Sequence, residues 1–141
     1  MTNRIYHNYA NKMLGSSSAF HALADLENDT IKVYLLDAGT HSTSLSGDVD
    51  EADVTDIAIL ASATVTGGSI TSGTFDAADT TFTAVPGSTT GEEIVLWFDS
   101  GTATTSPLIA NFDNASAGLP VTPNGGNIVI EWAASLIDLI A

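Results

Sequence analysis

The densest group of ionisable side chains in the chain is Asp48-Val49-Asp50-Glu51-Ala52-Asp53-Val54-Thr55-Asp56. Carboxylates in such number suit a hard cation, since calcium takes about 6–8 oxygen ligands. The spacing does not fit an EF-hand loop, because the sixth position is Asp53 rather than glycine and the twelfth is Ile59 rather than glutamate. The run reads instead as a solvated loop, or as a helical turn with acids near its N-terminus, where the macrodipole favours them. No metal site is assigned to it. His7, His21 and His41 are scattered and form no i, i+4 pair, so zinc coordination has no sequence support. Many serines are present, but none lies in a G-x-S-x-G elbow. Gly125-Gly126 has no lysine or helix after it that would make a phosphate cradle. A carboxylate pair for glycoside hydrolysis is set by distance in space rather than by spacing in sequence. The acids here concentrate in turns, and aromatic residues able to stack a sugar are few. No catalytic residue and no cofactor is assigned, and the expectation is a protein that is not an enzyme.

Charge narrows the field further. The 141 residues carry 17 acidic groups against three basic ones, a net charge of −14. Arg4, Lys12 and Lys32 balance Asp25, Glu27 and Asp29 within residues 1–32, so the other fourteen acids fall in 33–141 with no lysine or arginine among them. Such a body repels phosphates and lacks the cations that drive counterion release, which excludes nucleic acid and an anionic membrane as partners. No apolar run approaches the roughly 18 residues that span a bilayer. Met1-Thr2-Asn3-Arg4 leads into tyrosines and asparagines rather than an apolar segment, so no signal peptide is expected. The chain has no cysteine, and 44% of its residues are hydrophobic, too many for disorder.

The elements that would position any site read as mostly β. Ile5, Tyr9 and Met13 recur at helical spacing, with Tyr6, Ala10 and Leu14 alongside and Gly15 placed to end the helix in the left-handed conformation. A second short helix is expected through Phe20, Leu23 and Ala24. Thr30–Asp37 is a strand with both faces apolar, and Tyr34 and Leu36 are expected to lie under the N-terminal helices. After a long polar loop, Ala38–Asp56, the β pattern resumes over Ile57–Thr66. Gly67-Gly68 turns the chain into a weak strand, Ser69–Phe75, and Thr80–Val85 follows. Ile94–Phe98, Leu108–Phe112 and Ile128–Trp132 read as three successive antiparallel strands. Trp97 and Trp132 are expected in the core. Residues 133–141 end in Leu136, Ile137, Leu139 and Ile140, which read as a last edge strand or as a strand added to a neighbouring subunit. The whole is an all-β chain, an antiparallel β-sandwich of Ig-like or jelly-roll-like type. It divides into a helical arm over residues 1–27 and a sandwich domain over 28–141.

Four stretches resemble small tailed-bacteriophage virion structural proteins of the capsid decoration, or cement-like β-sandwich, kind. They are Asp29-Thr30-Ile31-Lys32-Val33, the run Gly73 to Phe82, the hairpin Phe98 to Ser106, and Gly118-Leu119-Pro120-Val121-Thr122-Pro123-Asn124-Gly125-Gly126. The similarity covers roughly residues 28–132, and the last stretch is the most specific. Ala133-Ala134-Ser135-Leu136-Ile137 departs from the polar turn and basic or aromatic strand with which such proteins close. The resemblance implies a virion component. Charge and the apolar ends then suggest a homo-oligomeric decoration protein on the outer surface of the head, with the major capsid protein and copies of itself as partners. Its contact residues would be Tyr6, Tyr9, Met13, Leu14, Phe20, Leu136, Ile137, Leu139 and Ile140. A tail or fibre component, binding host or carbohydrate through the loops 38–56 and 86–92, is the other reading.

Overall fold

The computed structural model describes residues 4–15, 23–37, 39, 43–55, 57–87, 89–113, 119–132 and 137–138. Its centre is a five-stranded antiparallel sheet in the order β1-β8-β7-β2-β3. The strands are β1 (Arg4–Ile5), β2 (Ile31–Asp37), β3 (Ala58–Thr64), β7 (Glu93–Phe98) and β8 (Leu108–Phe112). Two smaller antiparallel sheets complete the β structure. One orders β10 (Ile137–Asp138), β5 (Thr74–Asp76) and β4 (Ser69–Thr71), and the other pairs β6 (Thr80–Phe82) with β9 (Ile128–Ile130). The single helix among the described residues is α1, His7–Met13, ended by Gly15 at φ +89°, as the sequence predicts.

Register shows why β2 and β7 are apolar on both sides. Val33 lies opposite Leu96 and Leu35 opposite Ile94, while Tyr34 lies opposite Val95 and Lys32 opposite Trp97. Residues directly opposite share a face. One face therefore carries Ile31, Val33, Leu35, Ile94, Leu96, Ala110, Phe112 and, from β1, Ile5. The small sheets meet this face: the Phe112 and Trp132 rings lie 5.6 Å apart, and Ile5 shares a groove with Phe75 and Ile137. The opposite face carries Trp97, Tyr34, Val95, Glu93 and Asn111. The polar loop closes over it, because Tyr34 donates its hydroxyl to Glu51 at 2.7 Å and Thr43 N–H donates to Glu93 at 3.2 Å. Close packing at Gly91 excludes a side chain, since a Cβ there would meet the Leu35 side chain at 2.7 Å.

Several expectations change. Ile128–Trp132 does not continue the Ile94–Phe98 and Leu108–Phe112 pair: β9 pairs with β6, and the free side of β8 is taken by β1. The helix begins only at His7, so Ile5 belongs to a strand. Residues 4–15, expected in a separate arm, contribute β1 to the central sheet and two fully packed tyrosines to the common core. Ser69–Phe75 is not one strand but a hairpin, β4-β5. Ser72 and Gly73 take φ +52° and +82° at its tip, the two-residue geometry that matches strand twist. Tyr34 lies under the acidic loop rather than under the N-terminal helix. Of the two readings of the acidic run, the helical turn holds: it forms a 3-10 turn, Glu51–Val54, in which Asp50 and Asp53 cap each other reciprocally. The second predicted helix falls mostly on residues 16–22, outside the described residues, and Leu23–Asp25 is not helical.

Candidate functional site

Two features of the fold gather side chains toward solvent. The first is an apolar groove of about 210 Å³ where the two ends of the chain meet the β4-β5 hairpin. Ile5 and Met13 come from the N-terminal segment, Leu23 and Leu26 from the segment before β2, Ile70 from β4 and Ile137 from β10. The wall before β2 is fixed locally. Asp25 accepts hydrogen bonds from the backbone N–H groups of Glu27 and Asn28, and Asp29 accepts one from Asp25 N–H at 2.8 Å. The Asn28 side-chain amide, with the backbone N–H groups of Glu27 and Asn28, holds the Asp25 carboxyl below its ordinary range. Glu27 in turn accepts from Ile70 N–H at 2.9 Å, which ties this wall to β4. Ile70 at 48% exposure and Leu23 at 40% leave the rim unusually apolar.

The expected contact residues divide around this groove. Met13 lines it and Leu14 stands exposed at the end of α1. Tyr6, Tyr9 and Ile137 are buried within their own chain, and of these Tyr9 and Ile137 line the groove. Burial pushes the Tyr9 hydroxyl up to about 12, against an opposing backbone hydrogen bond at Ala24. Phe20, Leu136, Leu139 and Ile140 lie outside the described residues. The sequence reading missed Ile5, Leu23 and Ile70 as groove residues. Ile70 carried the one usable signal, a lone large aliphatic in a stretch otherwise of serine and threonine.

The second feature is a polar pocket of about 330 Å³ on the other face, at the end of β7 and β8. Glu93, Asn111 and Asp113 line it from the sheet, and Thr43 from the loop. Asn111 donates its side-chain amide to Thr43 Oγ1 at 2.7 Å and reaches Glu93 Oε2 at 3.5 Å. The Tyr6 hydroxyl is directed at Thr43 and Asn111 but completes no hydrogen bond with acceptable geometry. Asp113 Oδ1 is likewise shielded from solvent and unbonded. Burial, with Asp48 and Glu93 nearby, drives the Tyr6 pKa far up, so it is a neutral phenol at any ordinary pH. His7 is exposed at the pocket rim, while His21 and His41 lie outside the described residues. Among the described residues no three of His, Cys, Asp and Glu gather as metal ligands.

The two tryptophans sit apart from both features. Trp97, 5% exposed, packs its ring 5.0 Å from Tyr34 and under the Lys32 ammonium, and its indole N–H finds no acceptor among the described residues. Trp132 is half-buried and donates to Thr80 Oγ1 at 3.0 Å. Comparison of the chain with protein-family models, with curated proteins and with solved structures gives no match.

Proposed function

We infer that this chain is a non-enzymatic structural protein of a tailed-phage virion. It is a decoration protein, seated on the outer surface of the head and stabilising it through contacts with the major capsid protein and with its own copies. The observation that carries the reading is the apolar groove framed by both ends of the chain, on a molecule whose residues 33–141 hold fourteen acids and no lysine or arginine. A free soluble domain has little use for exposed Leu23 and Ile70 around one concavity, whereas a docking surface needs apolar anchors of this kind. The acidic remainder keeps the protein soluble before assembly and away from nucleic acid. The five-stranded sheet with the smaller sheets against its apolar face suits the β-sandwich expected of such proteins, Ig-like or jelly-roll-like. Ile70→Asp or Leu23→Asp places a charge in the groove at a half-exposed position. Either variant should melt as the parent does and fail to co-sediment with heads lacking the protein. Undiminished co-sedimentation would remove the groove from the account.

A further inference from the structure

We propose that the pocket beside Glu93, Asn111 and Asp113 binds a cationic N–H donor group, the ammonium or guanidinium of a small amine or of a basic side chain on a partner. The proposal does not depend on the virion reading. Glu93 is only 5% exposed, yet both hydrogen bonds described for it fall on Oε2. Glu93 and Asp113 follow directly from the Ile94–Phe112 pairing, which places them across from each other at the ends of β7 and β8. Two carboxylates therefore face one cavity, and Asp113 Oδ1, cut off from solvent, has no donor among the described residues.

The second observation is independent of the acids. Tyr6 is 0% exposed and its hydroxyl ends at the same cluster without completing a hydrogen bond. A buried polar group left unmatched is costly, so a native fold keeps one where a ligand or solvent completes it. The group that completes this site must carry several N–H donors and positive charge, which ammonium and guanidinium supply. Size agrees, since about 330 Å³ is far more than the roughly 30 Å³ share of one water. An anion would meet two carboxylates, and among the described residues no three of His, Cys, Asp and Glu gather closely enough to hold a metal ion. Arg4 and His7 also line the pocket; both are exposed residues, and Arg4 lies opposite Asn111 in the β1-β8 pair, yet Asp113 Oδ1 stays without a donor among the described residues. The net charge of −14 favours arrival of any cation.

Amide spectra of the ¹⁵N-labelled full chain test this. Methylguanidinium and propylammonium chlorides are titrated against sodium chloride at equal ionic strength. Saturable shifts at Thr43, Glu93, Asn111 and Asp113 are expected. Asp113→Asn, which keeps the shape at a partly exposed position, should weaken binding about tenfold or more. Tyr6→Phe should keep the fold and weaken binding by a smaller factor. A Gly-Lys-Gly peptide separates the sources: binding as tight as propylammonium assigns the pocket to a partner's basic side chain, and binding by the free amines alone assigns it to a small amine. Shifts no larger than those from sodium chloride, or shifts unchanged in Asp113→Asn, would overturn the proposal. The same shifts from calcium chloride alone would replace it with a metal site.

Discussion

Tyr6, Tyr9 and Tyr34 all have hydroxyls held above their ordinary pKa, in each case mainly by burial, and at Tyr34 also by the hydrogen bond to Glu51. A tyrosine whose folded pKa exceeds its unfolded value of about 10 contributes its full stability below that pH. The contribution then drains away as pH rises through the folded value, which for Tyr9 is about 12. Tyrosinate absorbance should therefore stay flat near pH 10 and rise in one step with the loss of β-sheet circular dichroism. Independent titration of the three residues near pH 10 in a folded protein would contradict this placement. Tyr34→Phe isolates a single bond. It leaves the Glu51 carboxylate, 8% exposed, without its 2.7 Å donor, and should cost about 1–3 kcal/mol in chemical denaturation. A cost near zero would mean that solvent already serves Glu51.

At the scale of elements, local backbone and long-range pairing part company. Ala84 holds φ +49° at an exposed position just after β6, where its N–H donates to Asn127 Oδ1 at 3.0 Å. A left-handed alanine costs about 1–2 kcal/mol, and glycine's looser unfolded state returns about 0.4–1 kcal/mol of that. Ala84→Gly should stabilise the protein by up to about 1 kcal/mol, read as a rise in melting temperature; a fall would show that this turn is not strained. The N-terminal segment makes the larger prediction. Deleting residues 1–26 removes β1 from the free side of β8 and two tyrosines, 0% and 3% exposed, from the core. Large-to-small changes at buried aromatics cost about 3–5 kcal/mol each, against a typical total of about 5–15 kcal/mol. The truncated chain should show no cooperative melt, whereas a sharp transition would make these residues a true appendage. Period-2 patterning made β2, β3, β7 and β8 legible, because alternation is a local property. The partner of β9 was not legible, since pairing across some forty-odd residues leaves no local mark on Ile128–Ile130. The β4-β5 turn was missed because Ser72 takes a left-handed conformation that serine seldom adopts.

For the whole molecule, charge and greasiness are segregated, and the structure refines where. The sequence separates an anionic body from apolar ends, but burial divides those ends again. Tyr6, Tyr9 and Ile137 turn inward, while Met13, Leu23 and Ile70 frame an open groove. The polar pocket left no trace in the sequence, because Thr43, Glu93, Asn111 and Asp113 meet only through sheet register and loop closure. The account's central claim is that the groove fastens an acidic β protein to a virion head. The most direct test is the number of copies of this chain in purified virus particles made where it is expressed. The account predicts a copy number on the scale of the head's own subunits. Absence of the chain from those particles would contradict it, and a number on the scale of tail parts would contradict the head placement.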